Sequence, residues 1–272
     1  MPGRRLAILV ALAGLLSAAF VLAPPQLRAT GSGDRYPDEQ ALGTSVRGTF
    51  VEYWSSGDRE FTPALAGVVD YWFRFHMLKA AIAALLVIVF AALGIQLWKS
   101  FVRARGFGAG SGLALGASGV TVTLLGLFSV VLVVANIQGA AAPFASLLPM
   151  LTADPADGTV TATLDQVRQG LGAPHTDTSP ALQVMIDDFA WYHVAMAVLA
   201  GAVALACTAL SLTLWRAFAR TEPSNTRTRR VLACLGTFKA VVAAGLIVVV
   251  IANTTTAADP APALAALFDG SW

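Results

Sequence analysis

The sequence predicts an all-α membrane protein with five transmembrane helices, and its composition and hydropathy pattern support this. Of its 272 residues, 56% are hydrophobic and only 12% are charged, whereas a soluble domain would carry about 25% charged residues. The mean hydropathy is +0.68. Five apolar stretches each approach the roughly 20 residues that a helix needs to cross about 30 Å of hydrocarbon. So little charge and so many long apolar runs place the chain in a lipid bilayer.

A third observation is an internal repeat. Thr62 aligns with Ser179 at a shift of 117 residues, and the match continues without a gap to about residue 148. The aligned pairs include Asp70 with Asp187, His76 with His193, Trp98 with Trp215, Asn136 with Asn253 and Pro143 with Pro260. Such self-similarity indicates a structural unit that was built twice. We therefore expect four helices to form two tandem hairpins of the same topology, related by an axis along the membrane normal.

The apolar stretches, in order, cover residues 6–23, 77–97, 113–135, 194–214 and 231–252. The first follows Arg4 and Arg5, and it has two interpretations: an uncleaved anchor helix or a signal peptide. Pro24 directly after Ala23 disfavours cleavage there. The predicted regions are the anchor (1–25), an outer loop (26–61), the first repeat (62–148), a second outer loop (149–178), and the second repeat with an outer C-terminal tail (179–272).

Proline marks the start of each repeat. Thr62-Pro63 and Ser179-Pro180 each present a hydroxyl N-cap followed by proline at the first helical position. The helices that begin there should be longer than the bilayer is thick and should project outward. Asp70 and Arg74, one turn apart on the projecting part, are expected to pair.

Charge predicts the orientation. The N-terminus and the two short loops hold ten basic residues and one acid, while the long loops, their flanking helix ends and the tail hold fifteen acids and six basic residues. The positive-inside rule therefore predicts a plasma-membrane protein with a cytoplasmic N-terminus and an extracytoplasmic C-terminus.

The long outer loops carry apolar residues that need a core. Phe50, Tyr53, Trp54 and Phe61 supply aromatic area in the first loop. In the second loop, Leu164, Val167 and Leu171 follow helical spacing, and residues 144–151 resemble a short helix lying at the membrane interface. We expect these pieces to form a small outer cap.

The candidate site residues are the polar residues that the repeat retains: His76, His193, Asn136 and Asn253. All four are expected near the outer interface. Two facing imidazoles could ligate haem iron or a transition metal, or the four could bind a small polar ligand. The alternative is structural, with the side chains satisfying interfacial backbone and water. No cofactor is required by the sequence, and the metal assignment stays open.

Lys239 is the one charge well inside an apolar stretch, where a charge is a functional candidate by default. Snorkelling of its long side chain toward the cytoplasmic interface is the alternative. Asp70, Asp187 and Asp188 are expected to be solvated on projecting helix ends. Cys207 and Cys234 are interpreted as two small buried apolar residues.

Enzymatic motifs are missing from the sequence: it has no phosphate-binding Gly-Lys-Ser/Thr loop, no Gly-x-Ser-x-Gly elbow and no His-Glu-x-x-His. No catalytic residue is predicted, and nothing points to a nucleic-acid partner. The leading hypothesis is a non-catalytic accessory or envelope-interaction protein that meets its partner outside. The alternatives are a small transporter or channel lined by the repeat helices, and a membrane haem or metal protein using His76 and His193.

Three sequence features resemble a group of bacterial multi-pass membrane proteins of uncharacterised activity. They are the run VANIQG at 134–139, the spacing Asp70…His76…Trp98, and the ending ANTTTAADP at 252–260. Some members of that group are labelled only for a supposed twin-arginine signal. The resemblance covers most of the chain and implies a multi-pass architecture, but it implies no activity and no site residue.

Overall fold

Helix is the regular secondary structure throughout the part of the chain that the structure describes. The structure is a computed structural model that describes residues 2–26, 36, 38–103, 109–153, 158–173 and 178–271. Within those residues there is no strand, and the helices are α1 (Pro2–Gln26), α2 (Glu39–Ser56), α3 (Pro63–Arg103), α4 (Ala109–Ala141), α5 (Pro143–Leu147), α6 (Pro149–Thr152), α7 (Gly158–Gly172), α8 (Pro180–Arg220), α9 (Thr226–Ala258) and α10 (Pro260–Asp269).

Five of these helices, α1, α3, α4, α8 and α9, are long and apolar enough to cross a membrane. The prediction of a helical protein with five helices able to span a membrane is thereby confirmed. Both α3 and α8 have 41 residues, and both α4 and α9 have 33. Helices α4 and α9 extend at both ends beyond the apolar stretches 113–135 and 231–252.

The starts of α3 and α8 are those predicted from their proline residues. The backbone N–H of Leu65 donates to the Thr62 hydroxyl at 3.4 Å, and that of Leu182 donates to the Ser179 hydroxyl at 3.3 Å. At about 1.5 Å per residue each helix is about 60 Å long, twice the thickness of a hydrocarbon core.

The chain divides into two compact units. The bundle unit comprises Met1–Leu22, Lys79–Val134 and Val198–Val250; the loop unit comprises Ala23–Leu78, Ala135–Ala197 and Ile251–Trp272. The loop unit thus combines the predicted outer loops with the adjoining ends of the long helices.

The loop unit has a continuous apolar core. Its fully buried members include Tyr53, Phe50, Leu65, Leu147 and Leu264, contributed by α2, α3, α5 and α10. Trp54, Phe61 and Leu171 pack against it while partly exposed. The prediction that the outer-loop aromatic residues need a core is therefore confirmed.

The phenol of Tyr53 lies in this core. Its hydroxyl donates to the carbonyl of Arg59 at 3.4 Å. Burial raises the pKa of Tyr53; the charge of Arg59 lowers it and that of Glu60 raises it to smaller extents. The phenol is thus held as a neutral donor at ordinary pH.

Helix α2 was not predicted. Asp38 caps it by accepting from the N–H of Ala41 at 2.8 Å, and Gly57 ends it in the left-handed region at φ 68°. Two side chains tie α2 to its neighbours: Trp54 Nε1 donates to Gln166 at 2.8 Å, and Arg47 donates to the carbonyl of Met150 at 3.2 Å.

The short helix predicted over residues 144–151 is two helices, α5 and α6, which meet at Leu148. Pro149 lacks an N–H and cannot continue the hydrogen bonding of α5. Phe144, Leu147 and Leu151 are buried in the loop-unit core, so the apolar side of this segment is turned into protein.

The bundle unit is built from long apolar helices with a small core of its own. Leu86, Val89, Phe90 and Leu93 of α3 pack with Ala13 of α1. Many large apolar side chains of α4, α8 and α9 are exposed, among them Leu113, Val198, Leu205 and Val248. Such exposed area is what a bilayer covers.

Candidate functional site

The first predicted pair, His76 and Asn136, is joined directly within the loop unit. The Nδ1 atom of His76 lies 3.0 Å from Oδ1 of Asn136. Because an amide oxygen can only accept, Nδ1 carries the proton and donates. Asn136 is buried and His76 is half-buried, so a buried amide fixes the orientation of a more exposed imidazole.

Gly139 lies against the opposite edge of the His76 ring. A Cβ on Gly139 would be 2.6 Å from Nε2, 2.7 Å from Cε1 and 2.8 Å from Cδ2 of His76. Atoms do not approach this closely, so α4 passes the imidazole at a distance that only glycine permits. Next to it, the buried Gln138 donates through its side-chain amide to the carbonyl of Tyr192 at 3.2 Å. These contacts connect α3, α4 and α8 near His76.

The second pair forms the same hydrogen bond, but its histidine and asparagine exchange their degrees of burial. Nδ1 of His193 lies 2.8 Å from Oδ1 of Asn253. Here the histidine is buried, at 6% exposed, and the asparagine is half-buried. A shift of 117 places Thr256 where the first pair has Gly139; its hydroxyl donates to the carbonyl of Ala252 at 3.0 Å. The second pair therefore forms without a glycine.

Aromatic rings surround both histidines at the same relative positions. One ring lies a helical turn before each histidine, with 4.7 Å between centroids in both cases and an edge-on arrangement. Another belongs to the preceding residue, at 5.6 Å in both cases. The rings are Trp72 and Phe75 for His76, and Phe189 and Tyr192 for His193. They exclude water from one side of each imidazole and restrict its rotation.

The structure thus brings each histidine together with the asparagine of its own repeat. Both hydrogen bonds span 60 residues along the chain, and both tie a long helix to the one that follows it. In the residues that the structure describes, no group of three or more His, Cys, Asp or Glu side chains is arranged to hold a metal ion. The arrangement is well suited to fastening helices, with each imidazole held in one tautomer.

The three carboxylates expected to be solvated differ from one another. Asp70 pairs with Arg74 at 2.9 Å on the surface, as predicted. Asp187 pairs with Arg59 at 3.2 Å and is also exposed. Asp188 does not fit the expectation, because it is half-buried and its Oδ2 accepts from the backbone N–H of Ala145 at 2.7 Å.

Two expectations concern the bundle unit. Lys239 is half-buried, with Nζ 5.8 Å from the centroid of the Phe238 ring. Its repeat counterpart, Val122, packs against the α3 core. Cys207 is buried as expected, but Cys234 is exposed; the expectation of two buried thiols is wrong for Cys234.

Gly139 and Gln138 were missed as site residues, although a signal for Gly139 was present. Gly139 follows Asn136 by three residues, which places both on the same face of α4. A glycine on the face that carries a hydrogen-bonding asparagine indicates close approach of another group.

Comparisons with known proteins return nothing: no family model, curated protein or solved structure matches this chain.

Proposed function

We propose that the protein is a non-catalytic integral membrane protein that binds a partner protein through its loop unit, on the extracytoplasmic side of a bacterial plasma membrane. The observation that carries this proposal is the core of the loop unit. A segment that only connected spans would have no need of a core built from α2, α5, α7 and α10 together with the ends of α3 and α8. Such a core supports a fixed polar surface, which a binding function requires.

The charge of the loop unit supports the same proposal. Over the sequence it holds 15 acidic and six basic residues, a formal charge of −9, while the bundle unit holds one acid and 12 basic residues, a charge of +11. An acidic surface attracts basic partners and disfavours acidic ones. We therefore expect the partner to present lysine and arginine side chains.

The bundle unit gives less support to a transporter. Its buried polar side chains Ser129 and Ser211 donate to backbone carbonyls at 2.9 and 2.8 Å, those of Leu125 and Gly236. Hydroxyl groups bonded to the helix backbone are not available to line a polar pathway. Solute uptake by proteoliposomes that is lost in a His76→Ala/His193→Ala variant would favour the transporter instead.

The packing of Gly139 counts against haem ligation by His76. Iron would bind the imidazole through Nε2, because Nδ1 is bonded to Asn136. The backbone of Gly139 lies against that edge of the ring. The protein expressed with haem supplied is therefore expected to show no Soret absorption band.

Photo-crosslinking in native membranes tests the proposal. A benzophenone amino acid would replace Glu52 or Gln169, which are exposed on α2 and α7. Matched controls would replace Leu205 or Val248, which are 74% and 66% exposed in the bundle unit. We expect protein adducts from the loop-unit positions that decrease with added salt, and lipid adducts from the controls. Protein adducts from the controls alone, or none from any position, would contradict the proposal.

A further inference from the structure

A groove of about 590 Å³ opens within the bundle unit, between the C-terminal part of α3 and the N-terminal parts of α4 and α9. Its walls are mainly apolar and include Trp98, Phe101, Val120 and Phe238. The hydroxyl of Thr123, also in the wall, accepts from Trp98 Nε1 at 3.1 Å and donates to the carbonyl of Gly119 at 2.7 Å. These two polar side chains therefore bond within the protein, and the wall around them is mainly apolar.

Two arginines also line this apolar groove. Arg227 and Arg230 are three residues apart near the start of α9, so they lie on one face of the helix. The guanidinium carbon of Arg227 is 3.9 Å from the centroid of the Phe101 ring. This stacking holds Arg227 half-buried beside the groove, and Arg230 is exposed. The partial positive charge of the α9 N-terminus adds to theirs.

The arginines are not a general property of the repeat. A shift of 117 places Gly110 and Leu113 at the positions of Arg227 and Arg230. The tryptophan of the groove and the glycine packed under it are retained: Gly119 packs under Trp98, and Gly236 packs under Trp215. The two cations therefore occur in only one of the two copies, where they line the groove.

We propose that this groove binds an anionic phospholipid, with the phosphate at Arg227 and Arg230 and an acyl chain along Val120, Leu124 and Phe238. Charge complementarity identifies the headgroup, since guanidinium groups bind phosphate oxygens through several hydrogen bonds. Basic pockets between membrane helices on the cytoplasmic side are known recognition sites for such headgroups, and the charge pattern predicts that side here. The volume lies in the roughly 300–1,000 Å³ range of ligand sites.

The first test compares the removal of two arginines from the groove with the removal of two arginines elsewhere in the bundle unit. Arg227→Gln/Arg230→Gln removes both cations of the groove; Arg216→Gln/Arg220→Gln removes two exposed cations at the end of α8 that do not line it. Binding of phosphatidylglycerol and phosphatidylcholine to the full chain in detergent would be measured by native mass spectrometry. We expect affinity for phosphatidylglycerol to fall on the order of tenfold in the first variant and less than twofold in the second. Equal losses, or no preference for the anionic lipid in the parent, would overturn the proposal.

A second test locates the lipid and its acyl chain. Cys234 lines the groove and is exposed, whereas Cys207 is buried, so a thiol reagent reports on the groove. Phosphatidylglycerol should slow the modification of Cys234 at least threefold, because lipid at concentrations above its dissociation constant keeps most of the grooves occupied. Glycerol 3-phosphate alone should not slow the modification. Val120→Trp, which fills the groove, should abolish this protection, and Val248→Trp, on an exposed face, should not. Protection that persists in Val120→Trp, or protection by glycerol 3-phosphate, would exclude an acyl chain in the groove.

Discussion

The two His–Asn pairs form the same hydrogen bond in opposite settings. In the first pair the asparagine is buried and the histidine half-buried; in the second pair the histidine is buried and the asparagine half-buried. The first is packed against Gly139 at a distance that excludes a Cβ, and the second has Thr256 at the corresponding position. The hydrogen bond and its aromatic neighbours are shared, and the packing around them is not.

This difference shows which contacts of the pair occur in both copies and which occur in only one. A hydrogen bond with one buried member is more costly to break than an exposed one, because the buried group loses its partner without gaining water. Either residue can be the buried one, so each copy keeps the bond while the surrounding side chains diverge. The pairs are best understood as fasteners between long helices, which agrees with a role in supporting the loop unit.

The largest difference between the pairs should appear at Gly139. Gly139→Ala places a Cβ 2.6–2.8 Å from three atoms of the His76 ring, and we expect it to lower the free energy of unfolding by about 2–3 kcal/mol through overpacking. Thr256→Ala, at the equivalent position, should change it by less than about 1 kcal/mol. Unfolding by SDS in mixed micelles measures both.

Gly170→Ala provides a control for glycine substitution as such. Its Cβ would meet only Cδ2 of Leu182, at 2.7 Å, and the end of a leucine side chain can rotate away. A Gly139→Ala variant no less stable than Gly170→Ala would show that the His76 ring moves freely and that the two pairs do not differ in packing.

The sequence was sufficient for the parts of the fold that depend on local patterns. The long apolar runs predicted five helices that could span a membrane, and Pro63 and Pro180 predicted where two of them begin. It was insufficient where tertiary packing decides. Helix α2 is amphipathic, with Leu42, Val46 and Phe50 on its buried face, but that pattern was interpreted only as aromatic area in a loop.

Only part of the candidate site was predictable from the sequence. The self-alignment singled out His76, His193, Asn136 and Asn253, because these residues match at a shift of 117. It could not single out Gly139 or Gln138, since their counterparts are Thr256 and Thr255. Contacts that belong to one copy leave no trace in a self-comparison; the structure shows them as the packing of Gly139 on His76 of α3 and the bond from Gln138 to Tyr192 of α8.

Alanine substitution of each asparagine tests whether burial of the histidine sets the cost of losing the hydrogen bond. Asn253→Ala leaves the N–H of the buried His193 without its acceptor, and we expect a cost of about 2 kcal/mol in the free energy of unfolding. Asn136→Ala leaves His76, which is half-buried and thus less buried than His193, and about 1 kcal/mol is expected. The same SDS titration gives both values, and Asn253→Asp, which keeps an acceptor, serves as the matched control. An inverted order would mean that the burial of the asparagine, and not that of the histidine, sets the cost.

Double-mutant cycles test whether the two pairs are independent. Alanine substitutions of His76 and Asn136 should show a coupling of about 1 kcal/mol, as should those of His193 and Asn253. Substitutions taken one from each pair should be additive within about 0.5 kcal/mol. Coupling across the pairs as strong as within them would indicate one four-residue site, as the ligand hypothesis requires.

The smallest effect should come from making the aromatic neighbours of the two pairs alike. Trp72→Phe gives His76 the same ring that Phe189 provides to His193, and removes the 2.8 Å hydrogen bond from Trp72 Nε1 to the hydroxyl of Ser146. We expect a loss of about 0.5–1 kcal/mol from that bond alone. Ser146→Ala removes the same bond, together with the hydroxyl's bond to the carbonyl of Pro143 at 2.9 Å, and keeps the indole. A loss in Trp72→Phe no larger than that in Ser146→Ala would therefore assign the cost to hydrogen bonding. A much larger loss in Trp72→Phe would show instead that the indole itself supports His76, and that the two copies differ in their aromatic neighbours as well as at Gly139.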